Sequence, residues 1–250
     1  MIGLLQASAI HRRVYLRRLW RSRLRFTAVA LALLPVVAAG AALPFDRAPF
    51  ENVLELFFRF LFPFLPALGA STLVAEEVDQ KTFTFLFARP APRSSIVLGK
   101  YTAVVLPTAA LLLLSLGATF LVSSLRGTVG DLIALLPRLG RAGAAALLAA
   151  VVFAALAALL GAWFTRHPFL AAVGYLISVE WMFGFVPLLK LGTLTFHLRK
   201  LADQRPTTVF LDGDLAVPWW ASVGALLLLG GLALLGAATS VAHAEYRTDR

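Results

Sequence analysis

The sequence predicts an all-α integral membrane protein with six transmembrane helices, and three observations predict it. Hydrophobic residues make up 60% of the 250-residue chain and charged residues only 14%, against about 25% charged in an ordinary soluble domain; mean hydropathy is +0.83. The apolar residues come in long blocks, not in the alternating or amphipathic patterns of a soluble core. The basic residues crowd one flank, with seven arginines between Arg12 and Arg25 directly before the first apolar block. A net charge of +10 would suggest nucleic acid in a soluble protein, but this basic run contains no base-reading module. Its position is that of a cytoplasmic flank under the positive-inside rule, so nucleic acid is not an expected partner. The chain has no cysteine, which excludes disulfides, thiolate metal sites and cysteine nucleophiles.

Residues 1–25 form the first element. At 100° per residue a helix from Arg13 to Arg25 puts Leu16, Leu19, Trp20 and Leu24 on one face and Arg17, Arg18, Arg21 and Arg25 on the other. It reads as an interfacial helix with Trp20 at headgroup depth and its guanidinium groups toward membrane lipid phosphates. A basic stop signal that only fixes topology is the alternative. His11-Arg12-Arg13-Val14-Tyr15-Leu16 is like a twin-arginine signal and Ala39-Gly40-Ala41 like a cleavage site. A cleavable signal, though, has one compact basic region within about 15 to 30 residues, and a retained helix is expected.

With about 20 apolar residues needed to cross the hydrocarbon, spans are expected at 26–43, 54–75, 101–122, 142–165, 168–189 and 217–242. An even number places both termini on one side, the cytoplasmic side of the cell membrane. The inner segments then hold 14 Lys and Arg residues and the outer ones eight, a bias in the expected direction. The outer loop 190–216 dissents with Lys190, Arg199, Lys200 and Arg205, and it is too long for a simple turn; structure of its own is expected there.

Within the spans, Ala146, Ala150, Ala154, Ala158 and Ala162 recur every four residues and make a smooth ridge for close helix approach. Pro63, Pro66 and Pro107 bend their spans. Arg59 follows Glu55 by one turn, an i, i+4 order that pairs them. Glu180 lies in the fifth span, where an ionised carboxylate costs roughly 2.5 to 3.5 kcal/mol. A translocation pathway contact, a structural hydrogen bond and a silent protonated acid all remain open for it. Trp219 and Trp220 suit an outer aromatic belt.

Between the second and third spans, residues 76–100 are acidic at the start, with Glu76, Glu77 and Asp79, and apolar in the middle, with Phe83, Leu86 and Phe87 at helical spacing. Pro90 and Pro92 end that helix. Such a helix is too short to span, and its phenylalanines need either the membrane interface or a groove on a soluble partner.

The order Glu77, Thr82, Leu86, Arg89-Pro90, Pro92-Arg93, Gly99-Lys100 resembles the pattern after the second span in permeases of the type-two ATP-binding-cassette (ABC) exporter family. The resemblance covers about 25 residues at motif level and the six-span layout throughout. It implies that residues 76–89 contain a coupling helix docking into a separate ABC ATPase, the nucleotide-binding subunit. Phe83, Leu86 and Phe87 would be its docking knobs, and Glu76, Glu77, Asp79 and Arg89 its rim charges. It also implies a second permease copy as homodimer or close heterodimer, a connecting helix at residues 1–25, gate helices within 190–216, and export as the direction. The chain has no G-x-x-x-x-G-K-[ST] loop, so ATP and Mg are expected on the partner subunit and no cofactor on this chain. The rival classes are a membrane anchor or assembly factor for a cytoplasmic partner and a membrane-embedded enzyme. The enzyme class finds little support, because His11, His167, His197 and His243 are scattered without metal-ligand spacing and Asp212-Gly213-Asp214 has no further carboxylates beside it.

Overall fold

The computed structural model describes residues 4–22, 24–45, 49–73, 93–126, 129–186, 188–204 and 217–243. They are helical throughout, with no strand among the described residues. The helices are α1 (Leu4–Arg21) and α2 (Leu24–Ala42). The second span is α3 (Pro49–Leu56), a π-helical segment π1 (Phe57–Leu61) and α4 (Phe62–Ala70). After α5 (Arg93–Ser123) and α6 (Val129–Trp163), the fifth span is α7 (Pro168–Tyr175) and π2 (Leu176–Met182). Then come α8 (Leu194–Leu201) and α9 (Trp219–His243). Six stretches are long and apolar enough to cross a membrane, and the protein is a multi-pass membrane protein.

The expected helix from Arg13 to Arg25 is divided. The chain breaks at Ser22, whose amide and hydroxyl both donate to the Leu19 carbonyl, at 3.1 and 2.8 Å. Arg25 therefore belongs to the first span, and α1 begins well before Arg13. Ser8, His11, Arg12, Tyr15, Leu16 and Leu19 of α1 are buried or half-buried, a stripe at helical spacing on the helix that packs along α5. Trp20, one turn after Leu16, is left 67% exposed beside the packed stripe, where it lines an apolar groove with Leu16, Leu19 and Leu24.

Close approach of α1 to α5 is set by Gly99. A Cβ there would sit 2.5 Å from the Ser8 carbonyl oxygen and 2.7 Å from the His11 Cβ, so only glycine leaves room for the helix backbone. One residue on, Lys100 is buried. Its ammonium donates to the Leu73 carbonyl at 2.8 Å and lies 5.2 Å from the centre of the Tyr15 ring. The Gly99-Lys100 pair thus joins the end of the second span, the start of the third and the N-terminal helix at one point.

The centre of the bundle is α6, which packs on α9, α4 and α5. Its expected alanine ridge, Ala146 to Ala162, is buried throughout, so neighbouring backbones come close enough for dispersion contacts to replace the hydrophobic effect that lipid does not supply. The expected fourth span starts at Ala142 and the third at Tyr101, whereas α6 begins at Val129 and α5 at Arg93. Both helices run on through Arg138 and Arg141, or Lys100, where charges had marked the hydropathic boundary.

The first π-helical segment has a readable cause. Pro63 offers no N–H to the carbonyl four residues earlier, that of Arg59, and its ring crowds it; the helix widens into π1 just before. The Trp181 indole N–H, from π2, donates to that freed Arg59 carbonyl at 3.3 Å. Beyond π2 the helix tightens over Phe183–Phe185 and stops at Val186, which is extended (φ −102°, ψ 122°), the conformation that a following proline, here Pro187, imposes.

Gly99→Ala is expected to lower stability by about 1 to 3 kcal/mol through overpacking against α1, while Gly117→Ala, with open space around it, is expected to be neutral. Thermal unfolding of the purified protein in detergent compares the two.

Candidate functional site

Two places bring together side chains of the kind that function uses. One is a hairpin after the fifth span, where the chain turns back into the bundle. A short 3-10 turn at Leu189–Gly192 leads into α8. Thr193 caps α8, its hydroxyl accepting from the Phe196 amide at 3.3 Å and donating to the Lys190 carbonyl at 2.8 Å. The amides of Leu194 and Thr195, which no residue within the helix can satisfy, donate to Glu180 at 3.0 and 2.9 Å. The Thr195 hydroxyl at 2.7 Å and the Tyr175 hydroxyl at 3.0 Å complete the set. The Glu180 side chain, 5% exposed, is thus held by four donors at the positive end of a helix. These bonds offset the cost of placing a carboxylate in a membrane span.

The far end of α8 is fixed as firmly. The Arg199 guanidinium makes a two-pronged bond to Glu55, both arms at 2.7 Å, across 144 residues of sequence. Arg59 does contact Glu55, at 3.2 Å, as its i, i+4 position suggests, but it is the second cation on a carboxylate already claimed. Asp203, left-handed at φ 56°, closes the helix as the Gln204 amide reaches back to the Arg199 carbonyl at 2.9 Å, and its carboxylate pairs with Arg141 of α6. Nearby, Arg138 pairs with Glu51. His197 links α8 to α9: Nε2–H donates to the Leu191 carbonyl at 2.9 Å, which leaves Nδ1 to accept from the Ser222 hydroxyl at 3.2 Å. Burial pushes His197 below its ordinary pKa, against smaller raising effects of the Leu191 carbonyl and the Glu180 charge.

These contacts account for the dissenting loop. Lys190 and Arg199 are buried in the bundle and are not free loop cations. Between the hairpin and the two π-helical segments lies a cavity of about 350 Å³, with Arg59, Phe60, Glu180, Trp181, Phe185 and Lys190 in its wall.

The second place is the base of the segment between the second and third spans. Glu76, Glu77, Asp79, Thr82, Phe83, Leu86, Phe87 and Arg89 lie outside the described residues. Arg93 opens α5. What the structure adds is the anchorage of the segment's ends through Lys100 and Leu73, beside α1. On α1, Arg17, Arg18 and Arg21 are exposed and line a basic recess with Val14 and Ser22, while Arg25 donates to the Trp20 carbonyl and lies 4.6 Å from the centre of the Phe26 ring. The roles of Tyr175, Thr195, His197 and Arg199 have no local sequence signal; only the unusual cation density of the 190–216 loop pointed to the stretch that holds the last three.

Arg199→Gln, which leaves Glu55 without its two-pronged partner, is expected to cost about 3 kcal/mol, and Arg59→Gln, at a half-exposed second contact, less than about 1 kcal/mol. Unfolding midpoints in detergent test the order. His197 contributes stability above its unfolded pKa of about 6.5, because the folded state favours the neutral ring; that contribution is lost as pH falls and the unfolded state binds the proton first. The thermal midpoint is therefore expected to drop more steeply between pH 7.5 and 5.5 in the wild type than in His197→Gln.

Comparison with known proteins was informative at the level of family. A search of curated proteins returned no match. Residues 18–187, from the second half of α1 to the end of the fifth span, match the family described as ABC-2 family transporter protein. That stretch contains the last four of the seven flanking arginines, the first five spans and the residues 76–100 on which the resemblance rested. With six apolar helices around it, the match makes the assignment: the chain belongs to the ABC-2 transporter family, as a membrane-spanning permease of an ABC transporter.

Proposed function

We propose that the chain is the permease subunit of an ATP-driven exporter of the cytoplasmic membrane, with both termini cytoplasmic, working with a second permease copy and two ABC ATPase subunits. The observation that carries this reading is the family match over residues 18–187 together with the six-span fold. Membership of the family implies association with an ABC ATPase, and the chain has no phosphate-binding loop of its own. ATP and Mg belong to that partner, and the chain itself holds no cofactor.

The coupling role falls to residues 76–89, with Phe83, Leu86 and Phe87 filling a cleft on the ATPase and Glu76, Glu77, Asp79 and Arg89 at its rim. A lever needs a stiff base. Lys100 on the Leu73 carbonyl, and α1 seated at Gly99, supply one at the two ends of the segment. Orientation rests on the seven arginines of residues 12–25 and on the burial of Lys190 and Arg199 at the other end, which leaves fewer free cations there. In this reading α1 lies at the cytoplasmic lipid surface, and the α8 hairpin is the outer gate. Glu180, tied to the start of α8, transmits movement of the fifth span to that gate and so acts on the translocation pathway without being a free charge in it.

Affinity purification in mild detergent is expected to bring an ATPase subunit with the wild-type chain, and the Phe83→Ala, Phe87→Ala double variant is expected to lose at least about tenfold of it, as loss of two buried aromatic anchors does. Full retention of the ATPase, with transport unchanged, would count against the coupling assignment. A retained ATPase with no transport in the wild type would favour the anchor reading.

A further inference from the structure

Both π-helical segments among the described residues face one cavity: π1 contributes Phe58, Arg59 and Phe60, and π2 contributes Glu180 and Trp181. A π-helical turn costs backbone geometry and recurs at functional sites because it re-aims side chains. Here it turns Arg59 and Trp181 toward the mouth of a cavity of about 350 Å³, a size suited to a headgroup or small ligand.

The charge around that mouth does not balance. Glu55 is held on both oxygens by Arg199 at 2.7 Å, and Arg59 adds only a 3.2 Å contact to one of them. Two guanidinium groups on one carboxylate leave one positive charge in surplus. It resides on the outer partner, since the Arg59 side chain is 46% exposed and that of Arg199 only 10%. The formal charge of Glu180 is matched by that of Lys190 in the same wall, so the surplus on Arg59 stands. Arg59 also lies eight residues along the second span from Glu51, about 12 Å at helical rise, so its charge falls below the exposed ion pair of Glu51 with Arg138. A half-exposed guanidinium at that depth is stable beside an anion and costly beside acyl chains. Beside it, Phe60 and Phe185 expose their rings and Trp181 is half-buried, an apolar wall continuous with the polar mouth.

We propose that this cavity is a binding site for an anionic phospholipid, its phosphate on Arg59 and its acyl chains against Phe60, Trp181 and Phe185. Binding needs neither ATP nor a partner subunit, so it stands independently of the transport reading. The pocket is amphipathic as a lipid is, a guanidinium with aromatic rings beside it. A free phosphate shares only half of that chemistry.

The test uses the full-length chain in phosphatidylcholine nanodiscs doped with phosphatidylglycerol carrying brominated acyl chains, which quench tryptophan on contact. The emission of Trp181 is taken as the difference between wild type and Trp181→Phe. Saturable quenching of that emission at low mole fraction is expected, weakened at least about tenfold by Arg59→Gln through loss of a charge-assisted bond and partly restored by Arg59→Lys. Phe185→Ala, at an exposed ring that the fold does not need, is expected to weaken it too. Brominated phosphatidylcholine at the same fraction should quench only in proportion to its abundance. Equal quenching by the two lipids, or no change in Arg59→Gln, would overturn the site. Relief of quenching by millimolar inorganic phosphate would replace the lipid with a free oxyanion and overturn the lipid assignment.

Discussion

A chain folded in hydrocarbon has no water to complete the hydrogen bonds of its backbone, and this constraint organises the molecule wherever a span is interrupted. The fifth helix ends early and the chain re-enters as α8, which exposes a fresh set of helix N-terminal amides inside the protein. Glu180 answers them, with Thr193 beside it. Pro63 deprives the Arg59 carbonyl of its helical donor, and Trp181 answers it. Where the second span ends, the Leu73 carbonyl is met by Lys100. In each case a residue that hydropathy would count as a defect in a membrane segment is the group that makes an irregular backbone tolerable.

The result is a bundle with two differently built ends around a smooth alanine-lined helix. At one end, Glu51, Glu55, Asp203 and their arginines tie the second and fourth spans to the hairpin and its helix, while His197 reaches the sixth. At the other, α1 is pressed onto α5 at Gly99 and its exposed side carries arginines. Small residues in between let helices slide with little change in packing, whereas the two ends are held by directional bonds that form in one geometry or not at all. A permease that converts force from a soluble partner into movement across a bilayer is served by that division of stiffness.

Much of the fold was legible in the sequence because hydropathy is a local property: six blocks of apolar residues become six helices whatever their neighbours are. The Glu55 and Arg59 contact was legible for the same reason, one helical turn apart. Its more important partner, Arg199, was not, because nothing local links residues 144 apart. Arg199 and Lys190 instead looked like loop cations that spoiled the charge bias. Glu180 could be recognised as exceptional but not assigned, since the amides it serves belong to a helix whose position depends on tertiary packing. The π-helical segments carry no periodic signature, although Pro63 marked the first of them. The apolar stripe of the N-terminal helix was misjudged at its C-terminal end, because the break at Ser22 resets the phase before Leu24. Gly99 and Lys100 were read as letters in a family pattern; their physical meaning, a glycine under a crossing helix and a lysine on a stray carbonyl, needed the third dimension.

The central claim is that Phe83, Leu86 and Phe87 bury themselves in a protein and not in lipid. The absence of cysteine from the chain makes one measurement direct: Phe87→Cys, labelled with a photoactivated crosslinker in native membranes, followed by mass spectrometry of the adducts. The account predicts adducts with a nucleotide-binding subunit that diminish when the segment's acidic residues are also replaced. Adducts with lipid alone, at full labelling and with the subunit present in the same membranes, would contradict it.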